Sequence, residues 1–123
     1  MYTLKEIQVL NYTEVQKKIK DKLLAPVNFW YGEESFYLDK LSTAVEENYL
    51  AEHEKSFNQM IYYGKDVNAP SIIDACSRFP MMAEHQLIIV KEAQHMKDLN
   101  SLEAYCKAPV ASTVLIIIYK KKN

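Results

Sequence analysis

Four short runs of continuous apolar residues constrain this chain more than any other feature. They span residues 27–31, 57–63, 87–90 and 114–119. Uninterrupted apolarity, as opposed to alternation, indicates strands that are buried on both faces, which is typical of parallel sheets. Segments of helical character separate the runs. The sequence therefore predicts an α/β domain, a three-layer arrangement in which helices flank a parallel sheet.

The predicted helices cover residues 13–23, 34–51, 71–78 and 97–107. In the second of these, Leu38, Leu41 and Val45 recur at spacings of three and four residues, which places them on one helix face. The two glycines of the chain, Gly32 and Gly64, each follow a tyrosine at the end of a predicted strand. We therefore predict that both glycines turn the chain toward a helix through a positive φ.

Length and charge exclude several classes of protein. With 123 residues and a formal net charge of −1, the chain is a single domain that does not wrap nucleic acid by itself. Cys76 and Cys106 lie in predicted helices without metal-ligand spacing, so we predict two buried, reduced thiols and no metal site. No apolar run approaches the length of a membrane span, and the first residues lack a signal-peptide pattern. We expect a cytoplasmic protein without a membrane partner.

The first strand-to-helix turn lies where a nucleotide-binding α/β domain places its phosphate loop. That loop needs glycines for close backbone approach and a lysine that reaches the phosphates. Counting from Gly32, Tyr37 occupies the position of the second glycine and Leu38 that of the lysine. Asp39 replaces the magnesium-binding hydroxyl. A magnesium-binding acid is expected after the third apolar run, and the nearest acid there is Glu92, which we predict to be a solvated residue at a helix start. We therefore predict an ATPase-like layout with a degenerate nucleotide site, no cofactor and no catalytic residue.

A site of another kind is indicated by the segment Phe79-Pro80-Met81-Met82, which separates a predicted helix from the third apolar run. Pro80 ends the helix because it lacks an amide proton and its ring clashes with the preceding turn. Three large apolar side chains thus fall in a connection, and connections run over the surface. Exposed apolar groups in a loop indicate a partner surface. The alternative is that Phe79 packs beneath the preceding helix as part of the core.

Three segments, residues 26–39, 77–90 and 109–116, carry a resemblance in the same order along the chain. The first is an apolar strand followed by glycine, two acids and aromatic residues; the second contains the apolar segment and an aliphatic strand. Together they resemble the bacterial DNA polymerase III delta subunit family. The resemblance implies an AAA+-like domain of the clamp loader that binds no ATP, grips the sliding clamp (the beta subunit) and helps open it for loading on primed DNA. The gripping residues that it implies are Phe79, Met81 and Met82, in a loop shaped by Pro80.

Members of that family are longer, so the resemblance implies that residues 1–123 are one N-terminal domain of a larger subunit in the DNA polymerase III holoenzyme. Its other regions would join the remaining clamp-loader subunits, with DNA contacted only in the assembly. Two alternatives stay open. One is a nucleotide-dependent enzyme with a divergent site at residues 32–35. The other is a nucleic-acid-binding module that uses Lys17, Lys18, Lys20 and Lys22, which otherwise form a solvated helix face. The lysines at 120–122 are interpreted as the edge of the given chain rather than as a functional feature.

Overall fold

The computed structural model describes residues 12–33 and 35–121 of the chain. Within these residues, four strands form a sheet in the order β1-β4-β3-β2. The strands are β1 (Val27–Gly32), β2 (Gln59–Tyr63), β3 (Gln86–Lys91) and β4 (Thr113–Lys120). All three pairings are parallel, so the strands end together at one edge of the sheet and begin together at the other. We call these the carboxyl edge and the amino edge.

Helices cover both faces of this sheet. The α-helices of the described residues are α1 (Tyr12–Lys20), α2 (Ser35–Asn48), α3 (Lys55–Asn58), α4 (Ala69–Cys76) and α5 (Glu103–Lys107). Short 3-10 helices lie at Glu52–Glu54, Gly64–Asp66, Ala93–His95 and Leu99–Leu102. One face packs against α1 and α2 through residues such as Val15 and Leu41, and the other packs against α4 and α5 through Ile72 and Tyr105. The predicted three-layer α/β class is confirmed.

The two central strands supply the core on both sides of the sheet. In β3, Leu87 and Ile89 belong to the cluster beneath α1 and α2, whereas Ile88 and Val90 belong to the cluster beneath α4 and α5. All four are at most 1% exposed. Continuous apolarity in these runs therefore reflects burial on two faces, as predicted.

The second strand starts later than predicted. Phe57 lies in α3 and is 70% exposed, and β2 begins only at Gln59, which pairs with Leu87 of β3. The side chain of Asn58 donates a hydrogen bond to the carbonyl oxygen of Glu54, four residues earlier, and so completes a helical turn before the strand. Phe57, the first residue of the predicted run, was thus assigned to the wrong element, because apolarity alone does not distinguish a buried residue from an exposed one.

The last predicted helix is broken. Residues 97–107 form the 3-10 helix Leu99–Leu102 followed by the short α5. Asp98, which the prediction places inside a helix, instead accepts the amide proton of Ala69 at the start of α4. The first helix ends at Lys20, and Lys22 follows in a left-handed conformation with a φ of 56°. Predictions that involve Glu34, Lys122 and the first residues of the chain fall outside the described residues.

The two glycines do not have the role predicted for them, because neither has a positive φ. At Gly64 the requirement is space: a Cβ there would collide with the backbone carbonyl of Glu92. At Gly32 a Cβ would meet no atom within 4 Å. The left-handed residue at this edge is Glu92 itself, with a φ of 53°. Close approach of two connections, rather than a turn, therefore explains Gly64.

The two cysteines also differ from each other. Cys76 is buried at the end of α4 as predicted, and burial raises the pKa of its thiol to about 12. Cys106 is only half-buried, because Tyr105 takes the core-facing position of α5. Burial raises the pKa of Cys106 as well. Among the described residues, no helix combines the length and apolarity needed to cross a membrane.

Candidate protein interface

The connection between α4 and β3 presents apolar side chains to solvent at the amino edge. Phe79 is 84% exposed, Met81 58% and Met82 96%, while Pro80 is half-buried between them. Packing of Phe79 beneath α4 is therefore excluded. We call residues 79–82 the apolar loop. Its side chains lie where a partner could cover them, and burial of apolar area is the main favourable contribution to most protein association.

The backbone of the apolar loop is held by a side chain from another element. Asn58, the last residue of α3, is 2% exposed. Its Nδ2 donates a hydrogen bond to the carbonyl oxygen of Met81 (2.9 Å), and its Oδ1 accepts one from the Met81 amide (2.7 Å). Asn58 therefore binds both peptide groups that flank the Met81 Cα. Nothing in the local sequence pattern signals this contact, because the two residues are 23 positions apart.

The start of the loop is fixed by two buried side chains at the beginnings of strands. Gln86 of β3 donates from Nε2 to the carbonyl oxygens of Ala75 and Arg78, both at 2.9 Å. It also lies 2.9 Å from Oγ1 of Thr113 in β4. That hydroxyl donates to the carbonyl oxygen of Cys76 at 2.7 Å. Carbonyl groups at the end of a helix lack helical partners, so these bonds hold the end of α4 from which the loop departs.

Met82 adopts a strained backbone conformation. Its φ is 54°, in the left-handed region that residues with a Cβ seldom occupy. The conformation costs about 1 kcal/mol. Because the side chain is almost fully exposed, packing within the chain offsets little of that cost. Uncompensated strain of this kind concentrates at binding sites.

An open cleft of about 670 Å³ adjoins the apolar loop. Its lining residues come from the ends of α1 and α2, from the 3-10 helix after α2 and from the segment that follows the loop: Lys22, Tyr49, Leu50, Ala51, Glu54, Met82, Ala83, Glu84 and His85. Lys22 donates from Nζ to the carbonyl oxygens of Asn48 (3.1 Å) and Tyr49 (2.7 Å), so it caps the end of α2.

A second lysine of the same basic cluster also has a partner: Lys17 pairs with Asp21 at 3.6 Å. Two of the four lysines proposed for nucleic acid thus have partners within the chain.

At the carboxyl edge, the side chains at the degenerate phosphate-loop positions contact other parts of the chain. Leu38, at the lysine position, is buried in the core, and the ring of Tyr37 contacts that of Tyr12 at a tilt of 57°, with centroids 5.0 Å apart. Asp39 lies with Oδ1 3.0 Å from Nζ of Lys120. These side chains therefore have structural partners within the chain.

Lys120 is the centre of an ion-pair network at this edge. Its Nζ lies 3.1 Å from Oε2 of Glu92 as well as close to Asp39. The hydrogen bond that Lys120 donates to Asp39 is the main cause that raises the pKa of Lys120. Gln94 donates to Glu92 and accepts the amide proton of Lys120, each at 3.0 Å. Glu92 lies at the start of the 3-10 helix Ala93–His95, as predicted, but it is half-buried and ion-paired rather than solvated. Lys120, interpreted from the sequence as the edge of the chain rather than a feature, ends β4 and holds this network.

Comparison with known proteins agrees with this architecture. The family model "DNA polymerase III, delta subunit" matches residues 29–123. DNA polymerase III subunit delta of Bacillus subtilis (strain 168) is 24% identical, over 85% of this chain and 33% of the relative. The DNA clamp loader delta protein of Bacillus subtilis superposes with a TM-score of 0.76 at 23% identity, over 92% of this chain and 37% of that one. The likeness in structure is consistent with the AAA+-like fold that the resemblance implies.

The chain thus spans about a third of the length of these relatives. The family model, in contrast, covers most of the present chain, including all four strands except the first two residues of β1. The chain belongs to the DNA polymerase III delta subunit family.

Proposed function

We propose that this chain is the AAA+-like N-terminal domain of a cytoplasmic clamp loader subunit and that it docks onto the sliding clamp through the apolar loop. Family membership supports the role in the clamp loader. The observation that carries the docking mode is the exposure of Phe79, Met81 and Met82 on a backbone that buried side chains hold from both ends. Docking at this loop helps to open the ring for loading on primed DNA.

The loop has the chemistry of an interface anchor. Complete burial of one such side chain contributes about 1.5–3 kcal/mol. Truncation of a central anchor costs about 2 kcal/mol or more in many interfaces. The two methionines are unbranched and polarizable, so they fit irregular apolar pockets readily. Because the hydrogen bonds of Asn58 and Gln86 already fix the backbone, less conformational entropy is lost when the loop is covered.

The domain acts by binding rather than by catalysis. Leu38 is buried where a phosphate-binding lysine would stand, and Lys120 is engaged by Asp39 and Glu92. We propose that it binds no nucleotide. Other regions of the subunit, beyond the segment described here, make the contacts with the remaining clamp-loader subunits, and DNA is met only within the holoenzyme.

The proposal is tested by titrating this chain against the sliding clamp of the same organism. We expect the double variant Phe79→Ala/Met82→Ala to bind at least about tenfold more weakly, since each truncation removes an anchor. Its thermal stability should be unchanged, because both side chains are exposed. The matched control is Phe36→Ala/Tyr63→Ala, which removes two exposed aromatic side chains elsewhere on the surface.

Equal affinity of the wild type and the Phe79/Met82 variant would overturn the proposed docking mode. An equal loss in the Phe36/Tyr63 control would point to general adhesion of exposed apolar groups. A loss confined to the apolar loop supports the proposal.

A further inference from the structure

We propose that Asn58 is a positioning residue of the docking surface, whose side-chain amide holds the apolar loop in the conformation that meets the clamp. The inference rests on the proposed docking function. It assigns a role to a residue outside the loop, 21 positions before Phe79 by residue number and in a different secondary-structure element.

Both donors of the Asn58 side-chain amide, and its acceptor oxygen, form hydrogen bonds. One Nδ2 proton is donated to the carbonyl oxygen of Glu54 (3.0 Å) and the other to that of Met81 (2.9 Å), while Oδ1 accepts the Met81 amide proton (2.7 Å). Because the side chain is buried, water does not compete for these groups, and each bond is stronger than it would be at the surface. The donors face carbonyl oxygens and the acceptor faces an amide, so the orientation of the side-chain amide is determined.

The loop backbone has little other support. Among the described residues, no backbone–backbone hydrogen bond outside helices and strands involves residues 79–85. Of the side-chain hydrogen bonds in that same part of the chain, those that reach the backbone of residues 79–85 come from Asn58. Without Asn58, two peptide groups would depend on solvent alone. The asparagine is therefore the element that keeps the loop ordered between α4 and β3.

The position of these bonds determines how the side chains project. Pro80 has a φ fixed by its ring, and Met82 has a left-handed φ of 54°. Met81 lies between them, and Asn58 binds its N–H and its C=O. Pro80 is thus restrained by its ring and Met81 by the two hydrogen bonds of Asn58. Such restraint lowers the entropy lost on binding, which is the general benefit of preorganisation.

Asparagine is well suited to this task because one short, planar group carries both a donor and an acceptor. Aspartate would offer a second acceptor where the carbonyl oxygens of Glu54 and Met81 need a donor, and alanine would offer neither. A purely structural role, limited to the end of α3, requires only the bond to Glu54 and predicts no effect on the clamp.

The first test uses the unmodified chain and residue-resolved hydrogen exchange. If Asn58 orders the loop, the amide of Met81 exchanges at least about tenfold more slowly than in an unstructured peptide, although its side chain is exposed. Exchange at the peptide rate would overturn the inference. This result does not depend on whether any variant folds.

The second test compares Asn58→Ala with Asn28→Ala. Asn28 also donates from Nδ2 to two carbonyl oxygens, those of Ala25 (2.7 Å) and Leu115 (3.2 Å), but it lies in β1, at the other side of the sheet from β2. We expect Asn58→Ala to accelerate hydrogen exchange at the Met81 amide. We also expect this variant to bind the clamp about tenfold more weakly, although the side chains of Phe79, Met81 and Met82 are unchanged. Asn28→Ala should change neither quantity.

The outcomes separate this inference from the function on which it rests. If Phe79→Ala/Met82→Ala weakens binding and Asn58→Ala does not, the positioning role is overturned and the docking function stands. If the wild type and the Phe79/Met82 variant bind equally, the docking function is overturned, and the positioning role with it. Weakened binding in both variants, with fast exchange at Met81 in Asn58→Ala, supports both.

Discussion

The two edges of the sheet use their surface residues in opposite ways. At the carboxyl edge, the charges satisfy one another: Lys120 bridges Asp39 and Glu92, and Lys91 pairs with Glu46 at 3.0 Å. At the amino edge, the apolar loop is exposed and its side chains have no such internal partners, although its backbone is firmly held. The carboxyl edge is where open α/β sheets bind their ligands. In this chain the carboxyl edge carries ion pairs, and the exposed apolar loop lies at the other end of the strands.

The difference has a physical basis. Charged groups that are paired within the chain offer little to an anionic ligand, because binding would first require the internal pairs to break. Apolar groups that are exposed gain free energy from any surface that covers them. The comparison therefore predicts that changes at the amino edge affect binding, whereas changes at the carboxyl edge affect stability.

The largest expected effect comes from a new charge at the amino edge, compared with a new charge at the carboxyl edge in a separate variant. Met82→Asp should weaken clamp binding by at least about a hundredfold, or about 2.8 kcal/mol, because an unpaired carboxylate would be buried in an apolar contact. Aspartate tolerates the left-handed conformation of Met82, so the fold should be preserved. Tyr63→Asp, at the end of β2, is the control and should bind normally. Similar affinities of both variants, measured by calorimetry, would remove the distinction between the edges.

A pair of glycine substitutions tests the packing of the carboxyl edge. Gly64→Ala should destabilise the fold by about 2 kcal/mol, since its Cβ would collide with the backbone of Glu92. Gly32→Ala should be nearly neutral, because its Cβ would meet no neighbour within 4 Å. Denaturant unfolding measures both. Equal stabilities would show that the close approach at Gly64 is not required.

Removal of the central cation of the carboxyl edge should have a smaller effect. Lys120→Met leaves the carboxylates of Asp39 and Glu92 without their shared partner, and we expect a loss of about 1 kcal/mol because the network is partly exposed. Clamp affinity should be the same as for the wild type. If Lys120→Met lost affinity for the clamp without losing stability, the clamp would contact the carboxyl edge, which would contradict the proposed docking at the amino edge.

The same lysine makes a contribution that depends on pH. The hydrogen bond that Lys120 donates to Asp39 raises the pKa of Lys120 above its ordinary value of 10.5. Its stabilisation is therefore fully present below pH 10.5 and is lost as the pH rises through the higher pKa of the folded state. The stability of Lys120→Met, relative to wild type, should improve in that alkaline range. A constant difference between the two proteins from neutral to alkaline pH would contradict this assignment.

The smallest expected effect is the response to nucleotide. Mg-ATP at millimolar concentration should not shift the melting temperature, because Leu38 is buried in the core and Lys120 is paired with Asp39. A measurable shift, lost in a variant of the turn at residues 32–35, would revive the nucleotide-dependent alternative.

The sequence allowed the fold to be predicted where local pattern and burial coincide. Runs such as 87–90 and 114–119 are apolar because both faces of β3 and β4 are buried, and they yielded the correct class. Phe57 was misplaced because the same apolar signal arises from an exposed side chain. Gly64 was misinterpreted because its neighbour, Glu92, is distant in sequence.

The candidate interface was predictable only in part. Pro80 in an apolar segment was sufficient to predict an exposed loop, since a helix cannot continue through it. The support of that loop was not predictable, because Asn58 falls inside the run that was predicted as a strand, and only the structure shows its contact with Met81. Lys120 likewise gained its role only when β4 brought it beside Asp39.

The most direct test of the account uses the methionines as internal probes. Methyl-labelled methionine gives one NMR signal for each of the 5 methionines of the chain. On addition of the clamp, the signals of Met81 and Met82 should shift and broaden, while that of the buried Met96, beyond the carboxyl end of β3, should stay in place. Binding that leaves Met81 and Met82 unperturbed would contradict the claim that the amino edge is the docking surface.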